Sequence, residues 1–195
     1  MLEGAGEIIV SGLPRNKRPS DASICHRAVR RAFVDLGSAT NACQRQNRIV
    51  HSEGLQPCVE EESRAGIWRY DANKTGEVFP SEERYASGIR NGEGLAVDKQ
   101  GQLFSTQHGR DQLRQNWPDL YSNEQGSDSR AKDVIPLKRG DDYRWPECCY
   151  NAVAKRLVLE PEYGGDGGKK LCSTMGRTGS TSVTSHACRR TGGRT

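Results

Sequence analysis

Residues 84–146, RYASGIRNGEGLAVDKQGQLFSTQHGRDQLRQNWPDLYSNEQGSDSRAKDVIPLKRGDDYRWP, decide the predicted fold. Two apolar runs, 94–97 and 102–105, are joined by Asp-Lys-Gln-Gly, which is typical turn chemistry for a short β-hairpin. Each end of this hairpin opens into a polar loop. Because the two strands are antiparallel, we expect both loops at the same end of the sheet.

The two polar loops supply the candidate functional residues. In chain order these are Arg90, Asn91, His108, Gly109, Arg110 and Asp111. They bring together a guanidinium group, an amide, an imidazole and an unhindered glycine carbonyl. Such a set is suited to an anionic, oxygen-rich ligand with a hard cation beside it.

A family resemblance rests on two pieces of this stretch, GIRNGEGLAVDKQGQLFSTQHGRD and KRGDDYRWP. In that order they resemble the soluble pyrroloquinoline-quinone (PQQ) dependent sugar dehydrogenases, the glucose/sorbosone dehydrogenase family of six-bladed β-propellers. The resemblance spans about residues 32–170 and part of a family member. It implies an all-β, partial six-bladed propeller of about three blades. Residues 1–31 are expected to be irregular apart from one strand, and 171–195 to form a disordered tail.

The resemblance also implies two cofactors, PQQ and calcium. Arg90 would be the catalytic residue, stabilising negative charge on the reduced quinone. Asn91 would help to seat PQQ, and His108 would face it. These roles are implied by the family and do not follow from the residues alone.

For the metal, the resemblance assigns the backbone carbonyls of Gly109 and Arg110 to calcium, which prefers oxygen ligands. Asp111 is grouped with the cofactor-binding residues, because its carboxylate would support the calcium shell. Simpler interpretations stay open. Arg90 and Asp111 can form a surface ion pair, and His108 can cap a turn.

The implied reaction is oxidation of a sugar C1 hydroxyl or aldehyde hydrate by hydride transfer to PQQ. Its partners would be a sugar and an electron acceptor. The family's histidine base lies on the strand before Ala32, where this sequence has no equivalent. His26, His51 and His186 do not replace it, and Ser38 stands where a helper acid is often found. Because a general base contributes roughly 10²–10⁴-fold, we expect little or no activity from this chain.

Composition and charge limit the other classes of protein. Of 195 residues 33% are hydrophobic and 28% charged, and the 22 glycines favour turn-rich β structure. The net charge of +4 is spread along the chain, which predicts solvated surface rather than a nucleic-acid face. No apolar run reaches the roughly 20 residues of a membrane span. The N-terminus lacks the features of a signal peptide, so we expect a cytoplasmic chain if made as given, although the family is mostly periplasmic or secreted.

Cysteine and turn patterns give further expectations. Cys43 and Cys58 flank one loop and can pair in an oxidising compartment. Cys148 and Cys149 are adjacent, without a second pair at metal-ligand spacing, so no zinc site is predicted. Residues 71–82 match calcium-loop positions, but strand-like flanks favour a β-turn. Arg144 stands where the family usually has glycine, so a positive φ there would be strained.

Strands are predicted at 7–11, 33–36, 67–70 and 134–137, and a polar insertion at 112–131. Two other functions compete with the enzyme. The first is a non-enzymatic propeller fragment or binding module that needs a partner to complete its ring. The second is a cysteine-rich secreted structural protein, against which the odd cysteine count and the absent leader argue.

Residues 15–31 and the tail after residue 170 are interpreted as out-of-frame sequence. In a neighbouring frame, residues 18–27 can encode Asp-His-Pro-Met-His-Pro-Phe-Ala-Ile, an apolar strand that carries histidine. The last eight residues can likewise encode Met-Pro-Ala-His-Trp-Gly-Pro-Asn, which resembles the family's continuation.

The frame interpretation predicts a specific nucleotide sequence. Single-base changes near the codons of Lys17 and Lys170 should restore the dehydrogenase peptides. Sequencing the gene checks this directly. Codons that cannot yield those peptides would refute the interpretation.

Overall fold

The computed structural model describes residues 6–14, 24–27, 30–79, 84–128, 132–151 and 154–172. The strands are β1 (Val10–Ser11), β2 (Ile24–Arg27), β3 (Arg31–Leu36), β4 (Gly66–Asp71), β5 (Glu77–Val78), β6 (Arg84–Ser87), β7 (Leu95–Val97), β8 (Leu103–His108), β9 (Lys132–Leu137), β10 (Cys148–Asn151) and β11 (Arg156–Leu159). The α-helices are α1 (Leu113–Asn116) and α2 (Asn123–Asp128), and 3-10 helices span Val59–Glu62 and Pro161–Tyr163.

Antiparallel sheets organise the described chain. One has four strands in the order β2-β3-β4-β6, and a second has three in the order β7-β8-β9. Strands β10 and β11 form a two-stranded hairpin, while β1 pairs in parallel with β5. The β2–β3 and β7–β8 connections are short, whereas the β3–β4 and β8–β9 connections, residues 37–65 and 109–131, are long. The chain is therefore mostly β, as predicted, and the two short helices within the polar insertion are a departure from the all-β expectation.

The predicted hairpin is confirmed. Leu95 pairs with Ser105 and Val97 with Leu103, and the turn is closed by a 2.8 Å bond from the Gln102 amide to the Asp98 carboxylate. Gly101 has φ +92°, a value that glycine adopts without strain. Strand β9 adds to the other side of β8.

The main core lies between the two larger sheets. Side chains of both sheets are buried there, namely Phe33, Ile67, Ala86, Ile89, Leu103, Ile135 and Leu137. The opposite face of β3 and β4 packs a second cluster of Ala32, Val34, Leu36, Trp68 and Tyr70. Strands β3 and β4 are thus buried on both faces, which explains their nearly continuous apolar sequence.

Three predicted strands are confirmed within β3, β4 and β9, whereas the strand predicted at 7–11 is limited to Val10–Ser11. The expectation that 15–31 contains no strand is wrong for Ile24–Arg27, which pairs along β3. An otherwise open edge of β3 accounts for this, since tertiary pairing overrides a weak local pattern. The other residues of 15–29 lie outside the described part of the chain.

Two disulfides fasten the loops. Cys43–Cys58 is confirmed, with Cα atoms 6.0 Å apart. Cys148 pairs with Cys172, which the sequence did not indicate, and leaves Cys149 free. Leu171 also bridges Val158. The expectation of a disordered tail from residue 171 is therefore wrong for its first two residues, and 173–195 lie outside the described residues.

Two turn predictions can also be judged. At the calcium-like loop, the Asp71 carboxylate accepts bonds from the amide and side chain of Asn73, and strands flank the loop, as a β-turn requires. Arg144 has φ +72°, as its glycine-like position predicted, and such a residue costs about 1–3 kcal/mol. Neither α1 nor α2 has the length or apolarity to cross a bilayer, nor does any other helix of the described chain.

Candidate functional site

The segment after β6 is held between two other parts of the chain. The Trp145 amide donates to the Gly88 carbonyl at 3.0 Å, and the Ile89 amide donates to Ala65 at 3.0 Å. Gly88 has φ +70°, and a Cβ atom there would lie 2.3 Å from the Arg144 amide nitrogen. Only glycine allows this close approach. The Gly-x-Arg-Asn and Tyr-x-Trp-Pro pieces of the sequence therefore pack directly on each other.

The two candidate loops meet as the hairpin predicted. The amide of His108 donates to the carbonyl of Asn91 at 2.8 Å, so the pairing with β8 extends to residues that precede β7. The Arg90 carbonyl accepts a 2.7 Å bond from Ser38, at the end of β3. The predicted convergence of the loops at one end of the sheet is confirmed.

Arg90 is buried, with 7% of its surface exposed, and its guanidinium is fully hydrogen-bonded. Its Nε donates to the Asn41 carbonyl at 3.1 Å, and Nη2 donates to Asn41 Oδ1 at 2.8 Å and to Asp111 Oδ2 at 3.1 Å. Its Nη1 donates to the Gly109 carbonyl at 3.0 Å and, at 3.4 Å, to that of His108. A guanidinium has five N–H groups. All five are therefore directed at protein oxygen atoms.

Asn41 is a site residue that the sequence interpretation missed. Asn41 accepts hydrogen bonds from Arg90. It also donates from Nδ2 to the Asp111 carbonyl at 2.9 Å, and its backbone carbonyl accepts from Trp145 Nε1 at 3.2 Å. A signal was present in the sequence, because aligning AFVDLGSATN (residues 32–41) with QLFSTQHGRD (residues 102–111) places Asn41 opposite Asp111. The two residues indeed bind the same guanidinium.

Asp111 and His108 form the more accessible side of the site. Asp111 Oδ2 lies 3.8 Å from Arg48 Nη2, and Oδ1 lies 3.5 Å from His108 Nε2. Both side chains are about a quarter exposed, at 23% and 25%. Asp111 thus neutralises Arg90 from one side while remaining in contact with solvent.

Several polar atoms beside the loops have no hydrogen-bond partner among the described residues. They are Asn91 Oδ1, Gln107 Oε1 and His108 Nδ1. Gln107 and His108 border a narrow cavity of about 10 Å³, room for about one water molecule. Asn91 and His108, both predicted site residues, thus each have one buried side-chain atom without a hydrogen bond among the described residues.

Arg110 and Glu160 also line this cavity, and the Arg110 side chain belongs to a buried ionic cluster. It contacts Glu162, and its Nε lies 3.5 Å from Glu160 Oε2. Glu162 Oε1 also accepts from Gln44 Nε2 and Trp117 Nε1, both at 2.9 Å. The sequence interpretation missed this cluster, because its members are separated by up to 118 residues and no local pattern links them.

The cluster contains two carboxylates for one guanidinium, and all three side chains are buried. Burial raises the pKa of Glu160 to about 7, although Arg110 opposes that rise. Burial also raises the pKa of the Cys149 thiol well above its usual range. A thiol held in its protonated form is a poor nucleophile, so this burial disfavours reactivity of Cys149.

Asp133, on β9, is a further buried acid beside the cavity. Its side chain is 5% exposed, and Oδ1 has no partner in the described structure. Burial raises its pKa to about 6. A carboxylate in this position is costly to ionise, because burial removes it from water and Oδ1 has no hydrogen-bond partner among the described residues.

No protein-family model and no curated protein matches this chain. Among solved structures, it is similar to the Trichoderma reesei protein of Carbohydrate-Active Enzymes Family AA12, with TM-score 0.57 and 13% identity over 84% of this chain and 44% of that one. It is also similar to the holo PQQ domain of pyranose dehydrogenase from Coprinopsis cinerea, with TM-score 0.49 and 18% identity over 84% of this chain and 38% of that one.

These comparisons concern the fold, since both identities are low. The backbone arrangement described above is shared with part of the AA12 protein. The chain spans less than half the length of either structure. The functional roles of Arg90, Asn91, His108, Gly109, Arg110 and Asp111 stay predictions.

Replacing Arg90 should destabilise the fold strongly. We expect Arg90→Ala to lower the free energy of unfolding by about 3–5 kcal/mol, because it leaves Asp111 and the loop carbonyls without their buried partner. Arg90→Lys should lose less, since it keeps the charge with three donors instead of five. Urea unfolding measures both. Arg139, which is exposed, is the matched control, and Arg139→Ala should stay within about 0.5 kcal/mol. Equal urea midpoints for R90A and R139A would contradict this structural role of the Arg90 guanidinium.

Neutralising Asp133 should stabilise the protein at high pH. Because its folded-state pKa is raised, the folded chain retains a proton that the unfolded chain has lost between about pH 4 and 6. The contribution of this group to the free energy of unfolding therefore falls as pH rises through that window. Asp133→Asn should add about 2 kcal/mol at pH 8 and little at pH 4. Urea unfolding across this pH range, with exposed Glu93→Gln as the control, measures it. A gain that is the same at both pH values would argue against burial of the charge.

Proposed function

We propose that this chain is part of the β-propeller of a PQQ-dependent sugar oxidoreductase of the aldose or sorbosone dehydrogenase kind. Such an enzyme oxidises a sugar C1 hydroxyl or aldehyde hydrate by hydride transfer to PQQ, with calcium beside the quinone. The proposal is supported by the ordered motifs at 88–91, 108–111 and 143–146 and by a fold shared with a carbohydrate-active AA12 protein. The observation that carries it is the Arg90 guanidinium, which joins these three segments through the Gly109 carbonyl and Asn41.

The residues present do not fit PQQ. A tricarboxylate needs cationic donors, and the Arg90 guanidinium has none left. Arg110 is buried and its charge is balanced by Glu160 and Glu162, although its Nη1 makes no hydrogen bond among the described residues. The cavity beside the loops holds about one water molecule, far less than a three-ring quinone. The other unbonded side-chain atoms beside the loops, on Asn91, Gln107 and His108, are buried.

Calcium fits no better. The Gly109 carbonyl already accepts from Arg90, whose positive charge would repel a cation bound to the same oxygen. In the described part of the chain, no three acidic, histidine or cysteine residues cluster as a metal shell would need. Asn91 Oδ1 and Gln107 Oε1 offer two oxygen atoms, whereas calcium takes six to eight.

The chain's own residues therefore act as scaffold. Arg90 binds the loops to one another, Asp111 balances its charge, and Gly88 allows the Tyr-x-Trp-Pro segment to approach. We assign no catalytic step to them. The same observation supports a second function, a non-enzymatic propeller fragment or binding module, because a saturated guanidinium can position loops without binding any cofactor.

The two disulfides bear on the compartment. Cys43–Cys58 and Cys148–Cys172 are of a kind that persists in oxidising surroundings. This favours the periplasmic or secreted location implied by the family over a cytoplasmic one. We propose that the chain belongs to such a compartment.

An assay with added PQQ and CaCl₂ tests the function. The purified chain should not oxidise glucose or sorbosone with a dye acceptor, because Arg90 and the Gly109 carbonyl are already engaged. An intact PQQ glucose dehydrogenase serves as the positive control. Turnover above the cofactor-only background would show that the site assembles, and would contradict the scaffold assignment.

The same samples separate the two functions. Quenching of PQQ absorbance or fluorescence by the chain, lost in Asn91→Ala but kept in Arg139→Ala, would support a quinone-enzyme origin. A soluble oligomer that leaves PQQ unchanged would support the binding module instead.

A further inference from the structure

A basic cleft lies at the far end of the β3–β4 ladder from Arg90. Arg31, the first residue of β3, pairs with Asp71, the last residue of β4, and Arg69 pairs with Phe33. The cleft has a volume of about 500 Å³. Its lining residues are Arg30, Arg31, Arg69, Tyr70, Asp71, Lys74 and Glu77. The loops of the candidate site follow the other ends of these strands, so the two sites are separate.

The carboxylates of this cleft are already engaged. Asp71 Oδ1 accepts from the amide of Asn73 at 2.9 Å and from its side chain at 3.1 Å. Glu77 Oε1 lies 3.3 Å from Lys74 Nζ. The three arginines that line the cleft have no carboxylate within ion-pair distance anywhere in the described chain.

The sheet fixes the backbones of Arg31 and Arg69 close together. Arg31 and Arg69 lie on paired strands beside Tyr70, whose side chain is buried, so their backbones cannot move apart. Bringing guanidinium groups together is unfavourable unless an anion lies between them. Their planar forks match the oxygen atoms of carboxylate, phosphate or sulfate groups. A cleft of this size takes more than a single such group.

We propose that this cleft binds a small polyanion that carries at least two carboxylate, phosphate or sulfate groups. Arg31 and Arg69 bind its anionic oxygen atoms, and Arg30 and Lys74 supply further positive charge at the rim. The site is independent of the proposed sugar oxidation, because none of its residues touches the loops of Arg90. Its ligand is recognised by charge and by the spacing of its anionic groups.

Calorimetric titration of the whole chain tests the proposal. Citrate and pyrophosphate are the probes, and glucose is the neutral control. We expect at least one probe to bind at about 20 mM NaCl and to bind several-fold more weakly at about 300 mM, where charges are screened within a few ångströms. Binding of citrate alone, or of pyrophosphate alone, identifies which anionic group the site takes.

Variants locate the site. Arg31→Gln and Arg69→Gln should each weaken binding about tenfold, since each removes a charge-assisted contact. Arg139→Gln, which changes an exposed arginine outside the cleft, should leave it unchanged. Circular dichroism verifies that each variant is folded. If a variant is not folded, the salt dependence measured on the unmodified chain still tests the proposal. The proposal is overturned if neither probe binds the unmodified chain, if binding ignores salt, or if R139Q weakens it as much as R69Q.

Discussion

The arrangement of the loops depends on one buried guanidinium. Arg90 donates to a carbonyl and a side chain of Asn41, to the carbonyls that follow β8, and to Asp111. These acceptors lie at or after the ends of β3 and β8, which belong to two different sheets. Arg90 therefore fixes the distance between the two sheets at one end. A buried cation is tolerated only with complete hydrogen bonding and a counter-charge. Both conditions are met, which makes the loops rigid and leaves the guanidinium without spare donors.

The guanidinium of Arg110 holds the C-terminal segment in place. Arg110 binds Glu160 and Glu162, and thereby joins the loop after β8 to the 3-10 helix Pro161–Tyr163. The Cys148–Cys172 disulfide closes the same region covalently. Arg90 and Arg110 are thus both buried in charge pairs that organise the fold. Loops whose cations are paired in this way carry little uncompensated positive charge for an external anion.

The contacts of Arg90 do not depend on the fold comparison. The chain covers 44% of the AA12 structure whose fold it shares. All five donors of Arg90 are directed at oxygen atoms of this chain. The scaffold role follows from these contacts alone.

The sequence by itself determined the local elements. The turn at residues 98–101 and its apolar flanks specified the hairpin, the apolar runs specified β3, β4 and β9, and the position of Arg144 foretold a positive φ. These features depend on neighbours in the chain, whose preferences can be read directly. Only the tertiary structure decided that Asn41 binds Arg90, that Glu160 and Glu162 enclose Arg110, and that a strand forms beside β3. Such contacts join distant residues, and their energies come from burial and complementary charge, which no local pattern records.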